Sequence, residues 1–283
     1  IPAGSSVEVA ANVTITIGSN ATLIDNCRIF MNKNSKILVP NGLQVKGASR
    51  IYGCSYMWQG IEVLGGDVEI SENSMISDAY IAVNVYGGLV SIYDALFNRN
   101  NKAIVFNSGI SDLTPVVPIT NTIITSRYFS LTYTSPNPTI SVLKSIDPLT
   151  GDLFLESYTP ISLLNNGIAR PFCGIADYHT YNKPLIIGSY PLGNTLSNLI
   201  DNLDFGIISI RTRTICNNTL FQHMPFASSN IVGLYGNNGC GILADGGKSF
   251  IANNYHLAVG AALASYPQNT NTFFDCSTGI YSY

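Results

Sequence analysis

The sequence predicts an all-β protein built as a parallel β-helix, one solenoid with about 20–23 residues per coil and long loop excursions. Three observations predict it. No long segment carries apolar residues at three–four spacing behind a capping box. Short β-branched runs are separated by Gly, Asn, Asp and Ser. Those runs return at a nearly fixed interval.

From the start of the chain the runs are VTITI (13–17), KILV (36–39), GIEV (60–63), DVEI (67–70), YIAV (80–83), LVSI (89–92) and AIVF (103–106). Ile61, Ile81 and Ile104 open comparable triplets, 20 and 23 residues apart. Val68 and Val90 form a second family 22 apart, and Met75–Ile76 and Leu96–Phe97 a third about 21 apart. Three short strands per turn follow. Residues 107–197 interrupt the rhythm and hold 9 of the 13 prolines, so they read as irregular coils with long side loops. A separate small β domain is the alternative. TIIT (122–125), YFSLTYT (128–134), TISVL (139–143) and PLIIG (184–188) remain strand-like within it. NLIDNLDFGIISI (198–210) and TFFDCSTGIYSY (272–283) repeat the grammar of ALFNRNNKAIVF (95–106): large apolar residues, a polar corner, then a small residue before Ile. A second excursion is expected from Phe226 to Gly239.

The physics of such a repeat is that one coil cannot bury its inward face alone, whereas stacked coils pair above and below and align Ile, Val, Leu and Phe into columns. Corners favour Gly and Asn, which tolerate left-handed backbone. Stacked Asn side chains can hydrogen-bond from coil to coil. This explains 29 Asn beside only 11% charged residues. With net charge −3 and no Lys/Arg cluster, a nucleic-acid or anionic-membrane footprint is missing. The longest mostly apolar run, residues 256–266, is too short to span a bilayer. The six cysteines (Cys27, Cys54, Cys173, Cys216, Cys240, Cys276) form no CxxC and no pattern with His, which argues against zinc and leaves buried thiols or three disulfides open. Sequons at Asn12, Asn20 and Asn217 arise readily by chance in so Asn-rich a chain.

The stretch GCSYMWQGIEV (53–63), followed by MISDAYIAV (75–83) and ALFNRNNKAI (95–104), resembles the right-handed parallel β-helix regions of large Bacteroidota surface proteins, in the pectate-lyase-like superfamily. Cys54, Met57, Trp58, Gly60, Ile61 and Val63 carry the resemblance, with Asp78, Ala79, Phe97 and Asn100. IPAGSSVEVAANVTITIGSNATLI (1–24) is similar to their entry coils. The likeness covers residues 1–106 well, 184–221 and 270–283 fairly, and the proline-rich middle poorly. It implies a right-handed solenoid, export by the type IX secretion system, an extracellular or cell-surface location, and the secretion and anchoring machinery as partners. Such proteins carry a separate C-terminal sorting domain. Its absence here, with Ile1 at the start and strand-like GIYSY at the end, makes residues 1–283 read as one β-helix cut from a longer chain.

Enzymes share this shape, so chemistry has to be sought. Asp201, Asp204, Arg211, Arg213 and His223 form the best candidate cluster. If Ile208 and Ile210 point inward, Ser209, Arg211 and Arg213 lie outward as a basic pair. The plainer reading is a solvated, salt-bridged surface. Asp177 and His179, near Tyr178 and Tyr181, form an aromatic loop patch that could stack on sugar rings or simply cover the helix side. Asp245 and Lys248 in ADGGK lack the partners of a phosphate loop and read as a turn. His223 and His256 have no sequence-near ligands, no Gly-x-Ser-x-Gly elbow exists, and Trp58 reads as a packing anchor. No catalytic, cofactor or metal residue is assigned. The expected function is a non-catalytic extracellular rod, stalk or adhesin-like, presenting Tyr- and Asn-rich surface to an extracellular glycan or protein ligand. The alternatives are a polysaccharide lyase or glycoside hydrolase acting on acidic glycans, and a phage-type fibre component.

Overall fold

The structure is a computed structural model that describes residues 1–18, 22–53, 55–107, 119–120, 122–125, 166, 171–179, 185–188, 198–224, 239–245, 249–252, 255–258, 271–276 and 278–282. Within them every strand pairing is parallel, and there is no α-helix, so none long and apolar enough to cross a membrane. A ten-stranded sheet runs β1 (Ser6–Val9), β4 (Arg28–Met31), β7 (Arg50–Tyr52), β10 (Met75–Ser77), β13 (Leu96–Asn98), β15 (Ile123–Thr125), β18 (Asn198–Asp201), β21 (Thr219–Met224), β25 (Asn271–Cys276), β24 (Tyr255–Ala258). A nine-stranded sheet runs β2 (Thr14–Thr16), β5 (Lys36–Val39), β8 (Gly60–Leu64), β11 (Ile81–Gly87), β14 (Lys102–Phe106), β16 (Cys173–Asp177), β19 (Phe205–Ile210), β22 (Cys240–Asp245), β26 (Thr278–Ser282). The third side has two pieces. One holds β3 (Thr22–Asp25), β6 (Leu43–Lys46), β9 (Val68–Ile70) and β12 (Val90–Ile92); the other holds β17 (Leu185–Ile187), β20 (Arg213–Cys216) and β23 (Ser249–Ala252). Isolated bridges Tyr93–Thr120 and Ile119–Ile187 lie between them. Up to β14 the chain visits the three sheets in rotation, an order consistent with a parallel β-helix.

Pairing in register puts equivalent residues on one face, so columns form. The inward column of the nine-stranded sheet is Ile15, Ile37, Ile61, Val83, Ile104, Ile175, Ile207, Ile242 and Ile280. Burying each of the seven from Ile37 to Ile242 contributes roughly 2 kcal/mol, whereas Ile280 is 38% exposed. The opposing column in the ten-stranded sheet is Ile29, Ile51, Ile76, Phe97, Ile124, Ile200, Phe221 and Phe273. The repeat is therefore more regular than the spacing of Ile61, Ile81 and Ile104 implied: Val83, not Ile81, is the partner of both Ile61 and Ile104, giving steps of 22 and 21. Ile81 instead pairs with Lys102 and packs on the outer apolar cluster.

The small residue before each Ile has a steric role. Ala82 and Ala103, one residue ahead of Val83 and Ile104, are fully buried. Gly174, Gly206, Gly241 and Gly279 continue that column above them. A Cβ on Gly206 would lie 2.6 Å from the Phe221 ring, and one on Gly241 would lie 2.6 Å from Phe273. The rings of Phe221 and Phe273 stack at 4.9 Å, 8° from parallel, in the room this column leaves.

Corners between the ten- and nine-stranded sheets are held by left-handed residues: Asn12, Asn34, Asp78, Arg99, Asn202 and His223, with φ between 51° and 61°. Gly and Asn were expected there; Arg and His cost more, about 1–2 kcal/mol each. Partners fix both. Arg99 grips Asp78 with Nε–Oδ1 at 2.9 Å and Nη2–Oδ2 at 2.8 Å, and His223 Nδ1 meets Asp201 Oδ1 at 2.7 Å. The Asn ladder is present too: Asn34 Nδ2 donates to Asn12 Oδ1 at 3.2 Å and Asn107 Nδ2 to Asn84 Oδ1 at 2.7 Å. Trp58 is fully buried, its indole N–H donating to the Ser77 carbonyl at 2.8 Å, the packing anchor expected of it. Cys27, Cys173, Cys216, Cys240 and Cys276 are free thiols; Cys54 lies outside the described residues. Of the irregular segment 107–197, residues 107, 119–120, TIIT, 166, 171–179 and the LIIG of PLIIG fall among the described residues; YFSLTYT, TISVL and most of 226–239 do not.

Candidate functional site

The candidate cluster of Asp201, Asp204, Arg211, Arg213 and His223 does not converge. Asp201 and Asp204 precede β19 and Arg211 and Arg213 follow it, so a six-residue strand of about 20 Å separates the acids from the bases. Asp201 and His223 do meet, on adjacent strands of the ten-stranded sheet, and Thr125 Oγ1 donates to Asp201 Oδ2 at 3.0 Å. Asp201 is fully buried and the His223 side chain is 25% exposed. Asp204 is buried where β19 begins; its amide donates to the Pro171 carbonyl, and its own carbonyl accepts from Gly239 and Cys240. Arg211 and Arg213 are exposed at the β19–β20 turn.

The strand facing explains the miss. Ile207, not Ile208, stands in the inward Ile column, and Ser209 is inward with it. Ile208 belongs to a second apolar cluster on the opposite face, with Val105, Ala176 and Leu243, and Ile210 packs against it. The reading that placed Ile208 and Ile210 inward is therefore reversed. It failed because this sheet is apolar on both faces at β19, where alternation carries no information.

Asp177 and His179 form an interior cluster, not a loop patch. Asp177 follows Val85 and Phe106 in an inward column and is followed by Ser209. Its Oδ1 meets His179 Nδ1, while its Oδ2 accepts from Thr212 Oγ1 at 3.1 Å and Thr214 Oγ1 at 2.6 Å. Ser209 Oγ lies 2.8 Å from Thr212 Oγ1 and 2.9 Å from Thr214 Oγ1. All five residues are at most 2% exposed. A carboxylate and an imidazole sealed this way have no route to a polymer, so the cluster is structural chemistry: each polar group satisfies another. Tyr178 packs on the outer apolar cluster; Tyr181 lies outside the described residues.

The remaining candidates are quickly placed. The Asp245 carbonyl accepts from the Arg211 amide at 2.9 Å, and Lys248 is outside the described residues. His256 occupies β24. Among the described residues no group of three or more His, Cys, Asp or Glu could hold a metal ion. Burial pushes the Cys173 and Cys216 thiols up to about 12, which removes them as nucleophiles. Of the sequons, Asn217 is fully buried, Asn12 is exposed, and Asn20 is outside the described residues.

What stays accessible is the outer face of the nine-stranded sheet in its first strands. Lys36 and Glu62 pair there at 3.1 Å. Tyr80, Tyr86 and Leu64 are 45%, 48% and 48% exposed. Asn84 Nδ2 donates to the Tyr86 hydroxyl at 3.0 Å, joining Tyr86 to the Asn84–Asn107 ladder. No signature pattern in the sequence marks this surface beyond its Tyr and Asn content.

Comparison with family models, curated proteins and solved structures finds no match for this chain.

Proposed function

We propose that the chain is a non-catalytic extracellular module: a single right-handed parallel β-helix serving as the stiff, stalk- or adhesin-like portion of a large secreted or surface-anchored protein of the type IX-exported kind. The observation that carries the reading is the Ile column of the nine-stranded sheet, kept in register from Ile15 to Ile280 while the acids and bases on it are sealed or dispersed. Its mechanism is mechanical. Nine strands stacked at ~4.8 Å give roughly 40 Å of hydrogen-bonded axis, and each strand is loaded along a ladder of backbone bonds. Exposed Tyr80 and Tyr86 then meet an extracellular glycan or protein. The sealed Asp177 and the separation of Asp201 from Arg211 and Arg213 weigh against a polysaccharide-degrading enzyme, whose one supporting observation is the Asp201–His223 pair, its His side chain 25% exposed and its carboxylate buried.

The test is incubation of the chain with polygalacturonate and with neutral polysaccharides, read by reducing ends and by ultraviolet absorbance of unsaturated products. No release is expected. Release that disappears in His223→Ala would replace this proposal with the enzyme.

A further inference from the structure

We infer that β24 has two in-register seats on the ten-stranded sheet, and that β25 and β26 form an insertable latch that decides which seat it takes. The inference stands on strand order and register and does not depend on the non-catalytic reading.

Strand order is the first observation. In the ten-stranded sheet β15, β18 and β21 are each laid on the strand before them, one rung further along the axis. β24 breaks that rule: it precedes β25 in the chain yet lies beyond it, in the order β21–β25–β24. The chain leaves β23, passes over one rung of the ten-stranded sheet to form β24, and then steps back. β25 fills the rung that was passed over, and β26 covers β22.

The second observation is that β24 also fits the seat β25 occupies. β21 begins six residues after β20, at 219 against 213, and β24 begins six residues after β23, at 255 against 249. β20 and β23 pair with Cys216 opposite Ala252. Thr219 and Tyr255 each follow three residues later. Carrying that register forward sets Tyr255 opposite Thr219 and Leu257 opposite Phe221. In its present seat Leu257 is opposite Phe273, which is itself opposite Phe221. Leu257 therefore keeps one column position in both seats. The move between them is a shift of one rung, ~4.8 Å along the axis, and turns no side chain to the other face.

The inserted arrangement is the ground state for a visible reason. It adds ladders on both β21 and β22, and it stacks Phe273 on Phe221 at 4.9 Å. When β25 and β26 lift away, β24 takes their rung and pairs the backbone groups of β21 that β25 releases. The ten-stranded sheet then never presents a bare edge at β21, so the opening costs less than peeling the same strands without a replacement. The solenoid end thus has a long form, and a form one rung shorter from which residues 271–282 are released.

The experiment traps the two seats in the full chain by disulfide formation in oxidised glutathione, with the bridges located by peptide mapping. In the described arrangement Leu220 and Thr272 are direct neighbours, whereas Leu220 and His256 are two rungs apart, about 9.6 Å, beyond the reach of a disulfide. Leu220→Cys with Thr272→Cys should bridge readily. Leu220→Cys with His256→Cys should bridge more slowly, yet at least about tenfold faster than that variant unfolds globally. Hydrogen exchange on the unsubstituted chain supplies a second reading. The β21 amides that face β25 should be protected at least about tenfold more than those of β25 and β26. Failure of the first pair to bridge would overturn the strand order and the latch with it. Bridging of the second pair only at the rate of global unfolding, or equal protection of β21 and β25, would show that β24 has one seat.

Discussion

The inward column that starts as Val39, Val63, Val85 and Phe106 continues, in the same register and on the same face, as Asp177, Ser209 and Ala244. Below β16 this column is hydrocarbon; from β16 on, the interior around it holds a carboxylate, an imidazole and three hydroxyls. The outer faces change in the opposite direction. On the ten-stranded sheet the column runs from Arg28 and Arg50 to Leu96, Ile123 and Leu199, which are at most 6% exposed. At these two column positions the early strands turn hydrocarbon inward and charge outward, and the later ones turn polarity inward and apolar side chains outward. The backbone ladder is the same in both. What the contrast teaches is that register in a stacked sheet is set by pairing with the neighbours, so the chemistry at one column position is free to invert provided each polar group finds a partner.

The strongest way to break this comparison is Asp177→Ala. It strands His179, Thr212 and Thr214 without their acceptor in the interior, and we expect a loss of about 3–5 kcal/mol or failure to fold. Adding His179→Ala should recover part of it in a double-mutant cycle followed by urea unfolding. Simple additivity would mean that the pair is not one unit. Next is Gly206→Ala, which drives a methyl into the Phe221 ring and should cost about 3 kcal/mol by the same measurement. Ala103→Gly, at the equivalent column position, should cost only about 1 kcal/mol. Equal costs would show that the small-residue column has no steric function. Smaller still is Asn107→Ala, which removes bonds to Asn84 and the Val85 carbonyl in the exposed early region, for about 1 kcal/mol.

The smallest effect expected is electrostatic and confined to the early strands. Lys46 bonds Glu69 at 3.1 Å on the four-stranded sheet, and Tyr93 donates to the same carboxylate. Burial pushes the Glu69 carboxyl up, but bonds from Tyr93, Lys46 and Ser71 outweigh it and hold the group below its ordinary 4.5. The bond to Glu69 raises the Lys46 ammonium above 10.5. A lowered acid stabilises above its unfolded value and loses that as pH falls; a raised base stabilises below its unfolded value and loses that as pH rises. The contribution is therefore full between 4.5 and 10.5 and fades outside. Glu69→Gln should lower the melting temperature by about 1–2 °C at pH 7 and by less as pH falls below 4.5. A larger drop at pH 3 than at pH 7 would reverse the sign. Native-state alkylation gives a matching zero: Cys173 and Cys216 should resist iodoacetamide until the chain unfolds.

The columns were legible in the sequence because their residues repeat: Phe97, Ile200 and Phe273 do occupy one inward position, as do Ile104, Ile207 and Ile280. Ile81 was read in the place of Val83 because β11 carries apolar residues on both faces, Ile81 on the outer cluster and Val83 in the core. The carboxylate–imidazole contacts were half legible. Asp177 and His179 are two apart, but whether a strand end points inward depends on neighbours 30 to 70 residues away in the chain. Asp201 and His223 are joined by the step between adjacent strands, a relation visible only once the register is known. The separation of Asp201 from Arg211 was readable from strand length alone, since β19 lies between them.

Ile175 stacks on Ile104 although it lies 71 residues further along the chain, where Ile104 stacks on Val83 after 21. Closing the longer span costs only about 1 kcal/mol more in chain entropy. A scaffold that forgives so long a detour so cheaply is one on which new sequence can be spliced between turns, tested, and discarded, while the spine beneath it goes on as before.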